Sequence, residues 1–299
     1  TLVPKWVEGE LNMDALSKFY ADYLNFMHKK GFAISYLDLS NEKQVKTLEA
    51  SKYLTENLPK KLDKGVNMPK LIVPSSWSIA DATDWLTKVD MTKGEQNYFQ
   101  IASTHNTGFG GNCEDFMTQA KRLGKEAWNT ELHEWVGVDN KEEILNSDIF
   151  WEHMRAGFNG IDTWLFYGPV NGRGHTMVWV DGAKQTITKS TKYEIFKQVV
   201  NNASGGNYVD VSTPFFAMIT VAFIKDNTLS VWILNKSKKQ VKDLAIDLSK
   251  WIKNEKTVEQ IKWSEIIPRI GVKTILQPKQ TKFLCDIDAE SLYFFKVKL

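Results

Sequence analysis

Between Phe32 and Tyr167, short apolar runs alternate five times with stretches whose apolar residues recur three and four positions apart. The runs are Phe32 to Leu39, Lys70 to Val73, Tyr98 to Ser103, Glu126 to Thr130 and Gly160 to Tyr167. The periodic stretches span about Glu42 to Lys64, Ser78 to Val89, Asn112 to Gly124 and Lys141 to Ala156. Leu11 to Lys30 precedes the series, with Leu16, Phe19, Tyr20, Tyr23, Leu24 and Met27 predicted as its buried face, Asn12 or Asp14 as its start and Gly31 as its stop. Strands alternating with helices must run parallel, because each helix carries the chain back across the sheet in a right-handed crossover. An open doubly wound sheet and a (β/α) barrel both satisfy this rule, and both gather ligands at the C-terminal ends of the strands.

After a last helix, about Lys192 to Asn202, the pattern changes. Phe215 to Ile224, Leu229 to Leu234, Leu244 to Leu248, Thr281 to Ile287 and Ser291 to Val297 are short runs separated by turns such as Asp226-Asn227. They predict an antiparallel β module, and Ser204-Gly205-Gly206 supplies the boundary, giving domains of 1–204 and 205–299.

Exclusions narrow the chemistry. With 38 basic and 36 acidic residues interspersed, the net charge of +2 lacks the one-sided field of a nucleic-acid binder. The longest uncharged apolar runs reach about half the roughly 20 residues a membrane span requires. Cys113 and Cys285 form neither a disulfide framework nor a metal motif, and Gly108, Gly110 and Gly111 match no phosphate-binding loop. Neither a cofactor nor a metal is expected, and oligomeric state is not legible.

What remains is a set of polar and aromatic residues at strand ends: Asn41-Glu42, His105, Thr130-Glu131, then Trp164, Phe166 and Tyr167. Two glutamates from different strands of one sheet can face each other across the strand ends. That is the arrangement glycoside hydrolysis uses, one carboxyl protonating the leaving oxygen while the other attacks or activates water. "ELHEW" offers Glu134 beside Glu131, but strand parity aligns Glu131 with Ala127 and Asn129 and leaves Glu134 out of phase. The chain has 11 Trp, and flat aromatic faces suit the C–H faces of sugars. Trp77, Trp135, Trp164 and Tyr167, with His105 and His133, are the candidate substrate-binding residues. Trp128 alternates away from Glu131 and reads as core, as do Trp6, Trp85, Trp151, Trp232, Trp251 and Trp263.

On these segments the chain resembles the clan A retaining glycoside hydrolases, family 30 in particular, with features shared by the agarase and porphyranase family 86. "ISYLDLSNE" is similar to the fourth barrel strand ending in the acid/base glutamate, "AWNTE" to the seventh with the nucleophile, and "IDTWLFYGP" to the eighth with its sugar-facing Trp. "STKYEIFKQVVNNASGG", leading into the β module, resembles the C-terminal part of family 30. The resemblance implies an α/β fold of (β/α)8 TIM-barrel type, strands four to eight lying in this chain, followed by an all-β sandwich. It implies Glu42 as acid/base, Glu131 as nucleophile, Asn41 as donor to the sugar 2-hydroxyl, a retaining mechanism with Glu42 protonated and Glu131 ionised, and a secreted or periplasmic enzyme acting on a polysaccharide or oligosaccharide. An exo-acting or glycolipid-cleaving relative and a non-catalytic carbohydrate binder are the competing readings.

The sequence departs from the family in three ways. Lys43 stands where a Pro often follows Asn-Glu. "STHNTGFGG" has Asn106 and Thr107 where a Tyr supporting the nucleophile is usual. Five strands do not close a barrel of eight, and "VPKWVEG" resembles the segment that follows strand three, so the expectation is a C-terminal portion of a longer enzyme.

Overall fold

The computed structural model describes residues 12–42, 46–108, 110–213, 215–252, 257–278 and 280–299. Trp6, the "VPKWVEG" stretch and Lys43 lie outside the described residues. The chain forms two compact units, one taking the described residues up to Leu132 with Phe158–Asp162, the other His133–Gly157 and Thr163–Leu299. Among the described residues no helix is long and apolar enough to cross a membrane.

The first unit follows the predicted alternation: α1 (Met13–Lys29), β1 (Tyr36–Asp38), α2 (Thr47–Asn57), β2 (Lys70–Ser76), α3 (Ile79–Thr87), β3 (Ile101–His105), α4 (Cys113–Arg122) and β4 (Glu126–Leu132). Helices α5 (Asn140–Leu145) and α6 (Asp148–Ala156) then precede β5 (Gly160–Thr163). The helices start where local chemistry dictates. The side chains of Asn12, Ser78 and Asn112 accept from the backbone N–H groups of Ala15, Asp81 and Asp115, satisfying donors that a first turn leaves open.

The five strands lie in the order β1-β2-β3-β4-β5, and each of the first three junctions pairs in parallel. Unbroken sequential order is barrel-type winding, since a doubly wound sheet must reverse direction once. The parallel sheet is a half-barrel. Leu71, Ile72 and Val73 are all buried, the continuous apolar run expected of a strand covered on both faces. Trp128 packs on Tyr36 with centroids 4.8 Å apart, a core role as its parity predicts. Helix α1 departs from expectation in part: Leu24 is buried as predicted, together with Ser17 and Ala21, whereas Phe19 and Tyr23 face solvent. The small side chains one turn apart form the stripe that meets the protein, and the rings lie off it.

The second unit holds α5, α6, a three-stranded sheet of β6 (Tyr167–Pro169), β7 (Val178–Asp181) and β8 (Thr186–Lys189), and α7 (Thr191–Asn202). β9 (Asn207–Val209), β10 (Met218–Lys225), β11 (Thr228–Asn235), β12 (Val241–Asp247), β13 (Val258–Trp263), β14 (Val272–Leu276), β15 (Lys282–Ile287) and β16 (Ser291–Lys298) follow. They make a six-stranded sheet in the order β14-β13-β16-β11-β10-β9 and a two-stranded sheet of β12 and β15. Val231, Phe295 and Val258 of the larger sheet share one core with Ile246 and Ile287 of the smaller, a sandwich. The opposite face stacks Trp232 between Trp151 of α6 and Phe294. The β10–β11 hairpin closes on Asp226-Asn227 with φ of 47° and 56°, the left-handed pair that a two-residue hairpin turn requires.

Candidate active site

Adjacent strand ends of the first unit deliver the candidate residues. Glu42 lies four residues past β1 with φ 64°, a left-handed conformation that costs an L-residue about 1–2 kcal/mol. Its N–H donates to the Ser75 carbonyl at 2.9 Å, and it bridges to Ser76 past the end of the β1–β2 pairing. His105, the last residue of β3, is 2% exposed. In the β3–β4 ladder Thr104 pairs with Asn129 and His105 with Glu131, skipping Thr130. This bulge sets His105 level with Glu131.

His105 Nδ1 is 3.4 Å from Glu42 Oε1 and 3.7 Å from Glu131 Oε2, and one oxygen of each carboxyl and the ring nitrogen all lie within 4.8 Å of one another. The Thr107 hydroxyl donates to Glu42 Oε1 at 3.2 Å. The Glu131 N–H donates to Asn129 Oδ1 at 3.0 Å, and the buried Asn129 amide donates to Asn106 Oδ1 at 3.4 Å. Thr107 and Asn106, which mark a departure from the family pattern, thus bear on both glutamates. An open cleft of about 320 Å³ reaches His105 and Glu131 of the trio, lined also by Asp38, Leu39, Ser40, Asn41 and Thr130.

Burial raises the Glu131 carboxyl above its ordinary value, and the negative charge of Glu42 adds to the rise. Burial likewise lowers His105, and the hydrogen bond and charge of Glu42 pull partly against it.

Asp38 escaped the sequence reading. It lines the same cleft, accepting from the Ser75 hydroxyl at 2.5 Å and from the Ser40 N–H at 3.2 Å. Ser75 Oγ also lies 2.8 Å from Ser103 Oγ and 3.2 Å from Thr130 Oγ1, a hydroxyl layer beneath the cleft floor. Burial pushes the Asp38 carboxyl up to about 6, against the hydrogen bonds of Ser75, Ser40 and Thr130. The signal was present in the sequence: Asp38, Ser40 and Glu42 share parity, two residues apart.

Trp77 is 46% exposed and sits on Gly108, where an added Cβ would meet its Nε1 at 2.0 Å. The Trp77 carbonyl accepts from the N–H groups of Thr107 and Gly108, both at 3.1 Å, so one loop seats this ring and brings the Thr107 hydroxyl to Glu42. In the second unit, Trp164 and Tyr167 are 39% and 68% exposed. His133 stacks on Trp164 with centroids 6.1 Å apart and also meets His175 at 4.7 Å. Trp135 is a correction. It is 0% exposed, its Nε1–H donates to the Glu143 carbonyl at 2.7 Å, and it stacks on Phe150. The segment after β4 turns Trp135 into the core, and it does not meet substrate. Glu134 lies past the end of β4, in keeping with its parity.

Among the described residues one trio of metal-type ligands converges, Glu42, His105 and Glu131, a set that residue spacing did not reveal.

By sequence, neither a protein-family model nor a curated protein matches this chain. By structure, it is similar to a GH30 endoxylanase from Clostridium papyrosolvens C71, with a TM-score of 0.72, 18% identity and coverage of 97% of this chain and 72% of that one. The catalytic domain of GH30 xylanase C from Talaromyces cellulolyticus gives a TM-score of 0.78 at 12% identity, over 96% of this chain and 67% of that one. A β-porphyranase of glycoside hydrolase family 86 from Bacteroides plebeius gives 0.62 at 12% identity, over 97% and 60%. The fold is similar to that of these GH30 and family 86 enzymes, as the strand-end segments imply.

Proposed function

We propose that this chain carries the catalytic centre of a retaining glycoside hydrolase that cleaves β-linked polysaccharide. The observation that carries the reading is the approach of Glu42 and Glu131 carboxyl oxygens to within 4.8 Å, with Glu131 lining an open cleft. Retaining enzymes hold their two carboxyls ~5–5.5 Å apart, whereas inverting enzymes leave ~6.5–9.5 Å for a water molecule. The similarity in fold to glycoside hydrolases supports the same reading.

In the first step protonated Glu42 gives its proton to the glycosidic oxygen while the Glu131 carboxylate attacks the anomeric carbon. The carbon–oxygen bond breaks and a glycosyl ester forms on Glu131. In the second step the Glu42 carboxylate takes a proton from water, whose oxygen displaces Glu131. Asn41, exposed at the cleft, donates to the sugar 2-hydroxyl, and the exposed Trp77 ring offers its face to a sugar.

In this reading β1 to β5 take the places of strands four to eight of an eight-stranded barrel. Residues 1–204 form the catalytic part and 205–299 the sandwich domain of a secreted enzyme.

The test is hydrolysis of a panel of plant, fungal and algal polysaccharides, with product anomers followed by NMR. Glu42→Gln and Glu131→Gln should each lower turnover by about 10²–10⁴ while sugar binding persists, and the first product should keep the β configuration. Inverted product, or glutamine variants as active as the parent, refutes the mechanism. Binding without turnover in the parent chain makes it a carbohydrate-binding protein.

A further inference from the structure

We propose that Glu42, His105 and Glu131 bind a divalent transition cation of the zinc type, and that its occupation switches the hydrolytic centre off. The first half stands on geometry alone; the second rests on the glycosidase reading above.

Zinc bonds to imidazole nitrogen at about 2.0–2.1 Å and to carboxylate oxygen at about 2.0–2.2 Å, so two ligands of a tetrahedral site lie about 3.4 Å apart. The His105 Nδ1 distances to Glu42 Oε1 and Glu131 Oε2, 3.4 and 3.7 Å, are two such edges. One oxygen of each carboxyl and a ring nitrogen lie within 4.8 Å of one another, so a shift of the carboxylates on the order of 1 Å brings the three onto one ion.

The ligands are held before any ion arrives. His105 is buried at the end of β3, and its Nδ1 faces both carboxyls. Thr107 fixes the same Glu42 oxygen that faces the ring, leaving a lone pair on that oxygen free for a metal. The β3–β4 bulge and the bond to Asn129 fix the Glu131 backbone. The cleft lined by His105 and Glu131 gives water and ions a way to these two ligands. One imidazole and two carboxylates suit zinc and its neighbours; calcium and magnesium take six or more oxygens, which this trio does not offer. A cation here engages both glutamates at once, so neither can protonate the leaving oxygen or attack the anomeric carbon.

Calorimetric titration of the full chain with zinc chloride, without sugar, tests the site. A single equivalent should bind the parent chain. His105→Gln and Glu131→Gln should each weaken binding by at least about tenfold, and Cys113→Ser should bind as the parent does. Zinc should also raise the thermal unfolding midpoint of the parent and leave that of folded His105→Gln unchanged. Absence of binding up to about 1 mM, or unchanged affinity in both variants, overturns the site. Hydrolysis measured alongside should fall over the same zinc range as binding and return with EDTA; binding without loss of hydrolysis overturns the switch. Should zinc bind as described in a preparation that hydrolyses no sugar, the site stands and the glycosidase reading fails.

Discussion

Replacing Gly108 by Ala tests whether the Trp77 ring is a sugar platform set by its neighbour. The new Cβ would fall 2.0 Å from Nε1 and 2.1 Å from Cδ1 of Trp77, inside contact distance by about 1.5 Å. The ring, 46% exposed, can swing outward by that amount, so the fold survives. A displaced ring loses its stacking on the sugar, a contribution of about 0.5–1.5 kcal/mol that is the same in ground and transition states. Gly108→Ala should therefore raise KM about two- to twelvefold with kcat nearly unchanged. Trp77→Ala should do at least as much, and the double variant should add nothing to Trp77→Ala, because the methyl group has no ring left to move. Steady-state kinetics on a soluble oligosaccharide, with unfolding midpoints as a control, measure all four corners of the cycle. Additive losses, or an unchanged KM in Gly108→Ala beside a raised one in Trp77→Ala, would refute the platform.

Other expectations concern the frame. Gly111 has φ 85° and an added Cβ would meet the Ala80 backbone nitrogen at 2.4 Å, so Gly111→Ala should cost more than about 2 kcal/mol in urea unfolding. Ser78→Ala removes the cap of α3 and should cost about 1 kcal/mol, seen as a lower unfolding midpoint at constant activity per folded molecule. Glu143 is 1% exposed, and burial pushes its carboxyl from 4.5 to about 7 against the hydrogen bonds of Lys192 and Thr191. The folded state then holds a proton that the unfolded chain releases near pH 4.5, so stability falls as pH rises from about 4.5 to 7, by about 3 kcal/mol. Glu143→Gln keeps an acceptor for the Lys192 N–H and should flatten that slope in denaturant titrations at pH 5 and 7.5.

Much of the frame could be read from residue order. Five apolar runs spaced by helical stretches can fold only as a parallel sheet, and Asp226-Asn227 between two runs can be only a tight hairpin. The misses have physical causes. Gly160 to Tyr167 reads as one strand but divides into β5 and β6 around Trp164 and Leu165, since pairing partners, not hydropathy, end a strand. β14 went unread because it is an edge strand whose Val272 and Ile275 remain exposed, so burial imposes no pattern on it. At the site, strand-end position was enough to single out Glu42 and Glu131. The place of His105 between them was not legible, because 63 residues separate it from Glu42 and only the ladder register brings them level. Trp135 misled because proximity to a strand end says nothing about which way the following segment turns.

Strands in a flat sheet lie about 4.8 Å apart, so groups carried by β1 and β4, three spacings apart, would stand about 14 Å from each other. Glu42 and Glu131 instead bring oxygens within 4.8 Å, a gap closed by bending of the sheet together with the reach of the two side chains. The spacing of the two acids is thus sensitive to curvature. A substitution in the packing beneath β2 or β3 that relaxed the bend would pull them apart without touching either one.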